Sequence, residues 1–326
     1  MKHNIVVHIG GSKCGSSAIQ NFLLQNIKEL KTRNFYVPSL NLLEKSATTG
    51  EQIWYFQNML DDKVQHRTRF RNRIDKFFDD KVEQTTLLLS AENLSNPFGF
   101  EEIFQGLEKK YNLKIIFYIR RQDDYLMSAW QQWNLKTSPD FWSWCIGQVG
   151  KKANWREAIE PWVNAFGKDA CFVRIFEREM MDGNDINVDF CNLIGTDTKG
   201  LDITAGTINP SYNQAVEKFA ESANFLFKDL HDNKVYEMIG ELTGNRHYKR
   251  PEEVPLSRSQ RISILTCYKE SNDWIKQMFF PEVKRAELFT HVRATSFQHP
   301  SKTLEQEKDA LIFDLIYQIY RRQKEQ

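Results

Sequence analysis

The sequence predicts an α/β fold: a P-loop-like central parallel sheet flanked by helices, followed by a mainly helical carboxy-terminal portion. Three observations carry that prediction. Short apolar runs alternate with stretches of helical spacing over roughly the first 180 residues. The runs lack polar alternation, as strands buried on both faces do. A glycine-rich segment joins the first run to the first helix.

Taken in order, Ile5 to Ile9 is a β-branched run that stops at Gly10-Gly11, and apolar residues at helical spacing (Ile19, Phe22, Leu23, Ile27, Leu30) follow from Ser16. A helical stretch from about Glu51 to Phe78 leads to the strand Thr86 to Ser90 and the polar turn Glu92 to Pro97. Phe100 to Tyr111 reads as helix, Lys114 to Ile119 as strand, and Asp123 to Leu135 as a helix capped by Asp123 or Asp124. Trp155 to Phe166 adds a helix and Ala170 to Phe176 a further strand. After about Asn184 the pattern is mainly helical: Ser211 is placed to cap a helix through Phe227, and a long final helix runs from about Leu304 to Arg322. The wide apolar face of that helix (Leu311, Ile312, Leu315, Ile316, Ile319) is expected to pack on its own core. With no clean linker and no repeat, the expectation is one elaborated domain, its core at about 1–180 and a helical extension at about 181–326.

Composition narrows the function classes. Across 326 residues, 44 Lys+Arg stand against 43 Asp+Glu, too even a balance to recruit nucleic acid or acidic membrane. At 41% hydrophobic and 13% aromatic content the chain can bury a large core. Cys14, Cys145, Cys171, Cys191 and Cys267 are widely spaced with no C-x-x-C pair, which suits neither a disulfide scaffold nor a zinc site and points to a reducing cytoplasm. The amino-terminal apolar run is short and interrupted by His8, so neither signal peptide nor membrane anchor is expected.

The segment Gly10-Gly11-Ser12-Lys13-Cys14-Gly15-Ser16-Ser17 is the first chemical signal. Backbone N–H groups and a helix dipole converge there, which favours an anion, most often a phosphate. Against the Walker pattern, Gly10, Gly15 and Ser17 have the right spacing, but Ser16 replaces the lysine, which has moved to Lys13. A nucleotide kinase needs that lysine and a bound Mg²⁺, so the kinase alternative loses ground here. An ordinary glycine turn capped by Ser16 is the simpler structural alternative. The second signal is Tyr118-Ile119-Arg120-Arg121-Gln122-Asp123, with Arg120 at the carboxyl end of a strand and Ser128 eight residues on in the following helix. An arginine fork and a hydroxyl suit a second anion, and two anion sites at neighbouring strand ends imply a ligand with two separate phosphates. Pairing of Arg120 with a nearby carboxylate is the alternative.

Together these segments resemble the sulfotransferases that use 3′-phosphoadenosine 5′-phosphosulfate (PAPS). That family carries a loop of the form G-x-x-K-[ST/C]-G-[ST]-[ST] around the 5′-phosphosulfate and an Arg and Ser eight residues apart around the 3′-phosphate, and the wording from Tyr118 to Asp123 is similar to bacterial carbohydrate-type members. Asn209-Pro210-Ser211 and Ser271-Asn272 are weaker echoes. The resemblance implies a donor site of Gly11, Ser12, Lys13, Cys14, Gly15, Ser16, Ser17, Arg120 and Ser128, with Lys13 also acting on the leaving phosphate and no metal required. It implies sulfuryl transfer to a hydroxyl, secondarily an amine, of a carbohydrate such as a bacterial surface-glycan precursor. A catalytically inactive phosphonucleotide-binding protein is the alternative from another class.

The reaction needs a base for the acceptor proton. Glu92 is the expected base, because Ser90-Ala91-Glu92 follows a strand and reaches the same sheet edge as the anion sites, and related chains place a similar Ser-x-Glu there. His66 and His8 are the alternatives, His8 more readily read as packed within its strand. The arginines at 67, 69, 71 and 73 read better as a solvated helix face than as a glycan grip, and Trp130, Trp133, Trp142 and Trp144 better as core than as a sugar wall.

Overall fold

In the computed structural model, which describes residues 2–39, 42, 49–137, 140–204, 214–243, 256–285, 287–289 and 302–325, five strands run parallel in the order β2-β3-β1-β4-β5. They are β1 (Asn4–Gly10), β2 (Phe35–Tyr36), β3 (Thr86–Ser90), β4 (Asn112–Ile119) and β5 (Cys171–Ile175). β1 is central: Val6 pairs in register with Leu88 of β3 and Lys114 of β4. Ile5, Val7 and Ile9 are wholly buried, as are Ile115 through Ile119, which is why neither run alternates with polar residues. Each such side chain contributes about 1.5–3 kcal/mol on burial.

The chain divides into two compact units. The first holds residues 1–121, 154–208 and 270–289 and contains the sheet. Its helices are α1 (Ser16–Gln25), α2 (Ile27–Thr32), α3 (Ile53–Gln57), α4 (Lys63–Phe78), α5 (Glu101–Phe104), α8 (Trp155–Phe166), α9 (Ile186–Ile194) and most of α13 (Lys269–Phe279). β4 shows how both faces of the sheet are covered. The Tyr118 hydroxyl donates to Asp189 of α9 at 2.7 Å, while the neighbouring Phe117 meets the ring of Trp155 of α8 edge-on. The buried Asp189 also receives Arg174 of β5, so the phenol and the carboxylate are both satisfied. Asp185 caps α9, accepting from the N–H groups of Asn187 and Val188.

The second unit holds residues 122–153, 209–269 and 290–326. Its described helices are α6 (Gln122–Gln132), α7 (Phe141–Gln148), α10 (Gln214–Ser222), α11 (Lys234–Thr243), α12 (Arg258–Thr266) and α14 (Lys302–Glu325). Arg261 of α12 pairs with Asp123 and Asp124 in the first turn of α6 at 2.7 and 2.9 Å. Trp130 and Trp144 are buried beside Phe141, which makes them core. Leu311 and Leu315 of α14 are buried and the helix contacts α10 and α11, but Ile316 and Ile319 of the same apolar face are exposed.

Several boundaries differ from the sequence reading for local reasons. The helix expected from Ser16 to Leu30 breaks at Asn26, whose backbone leaves the helical region at φ −100° and ψ 11° and whose side-chain amide donates to Phe22 O and Asp202 O. The stretch from Glu51 to Phe78 is two helices, the second restarted by Asp62, which accepts from Gln65 N–H. The helix expected over Phe100 to Tyr111 is one α turn (Glu101–Phe104) and one 3-10 turn (Leu107–Lys109), parted where Gln105 turns out of the helix at ψ 133° and Gly106 adopts φ 89°. The two-residue β2 was not foreseen. The helix expected through Phe227 ends at Ser222, and its proposed cap Ser211, with Asn209 and Pro210, lies outside the described residues. No helix among the described residues is long and apolar enough to cross a membrane. All five cysteines are free, and all but Cys267 are buried.

Candidate functional site

Strand order reverses at β1: β3 lies on one side and β4 on the other, and all three run parallel. In such sheets ligands bind beyond the carboxyl ends of the strands at the reversal. The glycine loop follows β1, Glu92 follows β3 and Arg120 follows β4, so this topology brings the three to one edge.

The loop is built from backbone that most residues avoid. Gly10, Gly11 and Gly15 have φ of 85°, 100° and 87°, and Lys13 adopts φ 61°. At Gly10 a Cβ would overlap the Cα of Glu92, and at Gly11 it would come within 2.6 Å of the Tyr118 carbonyl. The β1–β4 register slips between His8 and Gly10, which re-aims the chain just before the loop. Inside the loop, Cys14 N–H and Ser16 Oγ both donate to the Gly11 carbonyl, each at 3.0 Å. The amides of Ser16 and Ser17 precede the first bonds of α1, those from Ala18 and Ile19 N–H to Gly15 O, and αL backbone beside such amides favours an anion.

Each residue expected at the site has a definite place. Ser12 and Lys13 are half-buried at the loop crest, Ser17 is exposed, and Ser16 is buried with its hydroxyl turned inward. Cys14 is wholly buried beneath the loop, and burial pushes its thiol up to about 12, so it serves as packing. Arg120 donates from Nη1 to Lys13 O at 3.1 Å and lies over the Phe176 ring, while Trp155 Nε1 donates to its carbonyl at 2.7 Å. Ser128 is half-buried in the second turn of α6, within the second unit.

The electrostatics match an anion-binding crest. Burial, then the neighbouring Arg120 charge, pull the Lys13 ammonium down to about 8, and Glu92 opposes them only in part. Glu92 is itself raised above the usual carboxylate range by burial and by Glu51, with Lys13 acting against both. Lys13 therefore senses both Arg120 and Glu92, and Glu92 senses both Lys13 and Glu51.

His8 does not belong to this group. Its ring is wholly buried, its Nδ1 lies 2.9 Å from Ser90 Oγ, and burial pulls its pKa down to about 3. His66 sits on α4. Among the described residues no group of three or more His, Cys, Asp or Glu is placed to hold a metal ion.

Sequence reasoning missed Glu51 and Phe176. Phe176 fills the space beside Gly15 and supports Arg120; its only signal was its position at the end of a strand-like run. Glu51 follows Gly50, whose φ of 77° seats the chain against the Gln20 carbonyl.

No family model matches the chain, and no curated protein matches it. Among solved structures it is similar to a sulfotransferase from Alicyclobacillus acidocaldarius, with 16% identity and a TM-score of 0.39, over 63% of this chain and 85% of that one.

Proposed function

We propose that the protein is a sulfotransferase that moves a sulfuryl group from PAPS to a hydroxyl, secondarily an amine, of a carbohydrate acceptor. The observation that supports it most is the convergence of two mutually repelling cations, Lys13 and Arg120, on a left-handed glycine loop at a helix start, with a desolvated carboxylate beside them. Such a crest is relieved by a bound anion, and a carboxylate raised by its surroundings is suited to take a proton.

In this reading the backbone of Gly11 to Ser17 cradles the 5′ end, with Gly15, Ser16 and Ser17 presenting first-turn amides. Cys14 contributes from below by bracing Gly11. Lys13 stabilises negative charge on the departing phosphate, and Arg120 holds the 3′-phosphate; the motif resemblance adds Ser128 to that phosphate. When bound, the donor supplies an activated sulfuryl group. Glu92 accepts the proton of the acceptor hydroxyl, the role the alternatives His8 and His66 would otherwise fill. The burial of His8 within the sheet speaks against it. The surface-glycan precursor and the cytoplasmic setting extend the same resemblance and the cysteine pattern.

The test is incubation with PAPS and a panel of hydroxyl- and amine-bearing glycans, with sulfated product read by mass spectrometry. Product formed by the wild type and lost in Glu92→Gln supports the reading. Transfer from ATP with Mg²⁺ in place of PAPS would replace it with a kinase, and nucleotide binding with no transfer to any acceptor would replace it with a phosphonucleotide-binding protein.

A further inference from the structure

The segment just before α3 is stitched to the residues around Glu92 on both sides of Glu51. Gln52, 1% exposed, donates its N–H to Ser90 O at 2.9 Å and accepts from Ser90 N–H through its side-chain oxygen, also at 2.9 Å. One residue further on, Asn93 Nδ2 donates to Ile53 O at 3.1 Å. On the other side, Gly50 lies so close to the Gln20 carbonyl that no larger residue fits. Residues 50 to 53 are thus held to residues 90 to 93 by backbone and amide bonds that leave Glu51 and Glu92 as the charged pair between them. Burial raises Glu51 above the usual carboxylate range, and Glu51 in turn raises Glu92.

We propose that Glu51 is a positioning residue for Glu92, held by this stitching so that a second negative charge stands beside the base. The proposal rests on the reading of Glu92 as the base. A protein selected for stability alone would gain nothing from two half-buried carboxylates held together, since each disfavours ionisation of the other. A base gains, because its affinity for the acceptor proton rises. The groups facing Glu92 are Lys13 and Cys14 from the loop and Glu51 from the stitched segment, and Arg120 acts on Lys13. Burial opposes the charged form of Glu92 most, Glu51 adds to that and Lys13 acts against both, so removing Glu51 lowers the affinity of Glu92 for a proton.

Two measurements on the full chain test this. In the unliganded protein, the carboxyl carbon of Glu92, labelled with ¹³C and assigned through Glu92→Gln, is titrated by NMR in wild type and Glu51→Gln. The proposal expects the Glu92 titration to move to lower pH in Glu51→Gln; an unmoved titration overturns it whether or not the protein transfers sulfuryl groups. With PAPS and an acceptor found by the panel above, Glu51→Gln is expected to shift the acid limb of kcat/KM to lower pH and lower the plateau by about 3- to 10-fold, with Glu51→Asp restoring the limb. A uniform loss at every pH, not restored by Asp, would mark Glu51 as merely structural and overturn the proposal. Full activity in Glu92→Gln would instead overturn the reading of Glu92 as the base, and the catalytic role of Glu51 with it.

Discussion

The body of β1 and the loop beyond its end are continuous in sequence and opposite in physics. From Ile5 to Ile9 the strand is buried, it pairs regularly on both edges as far as His8, and its one polar side chain, His8, is kept neutral against Ser90. From Gly10 to Gly15 the backbone turns left-handed at four residues, one of them a lysine, and two cations are held together while their carboxylate neighbours are desolvated. The strand obeys every local rule of folding, whereas the loop breaks several. Strain and mutually repelling charges persist only where surrounding structure imposes them, and they mark function.

The contrast predicts where substitutions act, beginning with the largest effect. Glu92→Gln should lower sulfuryl transfer about 10²- to 10⁴-fold. Because Glu92 is raised in the folded state, its charged form weakens folding once pH rises through the folded pKa, so the same variant should melt higher than wild type at neutral pH and not in acid. A variant that loses both activity and stability would place Glu92 with the strand instead. Gly10→Ala, which drives a Cβ into Glu92 and imposes strain at φ 85°, should destabilise the fold by about 2–4 kcal/mol by calorimetry. Arg120→Ala should weaken binding of adenosine 3′,5′-bisphosphate about 10- to 100-fold, as loss of a charge-assisted contact does.

The smallest effects are in pH dependence, and they separate the two regions. Lys13 is pulled down to about 8, so below that pH the folded protein bears the whole penalty of its charge, and the penalty fades as pH rises towards the ordinary 10.5. Lys13→Met should therefore stabilise the unliganded protein at neutral pH by roughly 1–2 kcal/mol and flatten the alkaline profile. His8 is pulled from 6.5 to about 3, so its contribution has the same sign in a more acidic window: stability falls as pH drops from about 6.5 towards 3, and His8→Asn should remove that part of the acid loss. Melting curves across pH for the two variants check both signs.

Much of this contrast was visible in the sequence, because glycines at loop spacing and uninterrupted apolar runs are local signals. β1, β3 and the end of β4 announced themselves by burial on both faces, the edge strand β5 alternates buried and half-buried residues, and Trp155 to Phe166 was placed to the residue as α8. Lys13, Glu92 and Arg120 could be named because each directly follows or closely trails a strand, and topology does the rest. What was hidden depends on contacts distant in sequence. β2 is two residues long, with its register set by β3. Glu51 sits next to Glu92 only because Gln52 and Ser90 exchange hydrogen bonds across 38 residues of chain. The inward turn of the Ser16 hydroxyl towards Gly11 follows from loop backbone that no spacing pattern encodes.

The most direct test of the central claim is a thermal-shift titration with adenosine 3′,5′-bisphosphate, set beside 5′-AMP and ATP with Mg²⁺, on the wild type and Arg120→Ala. The account predicts preferential stabilisation by the bisphosphate that is lost in the variant. No shift, or a shift with ATP and Mg²⁺ alone, would contradict a PAPS site at this sheet edge.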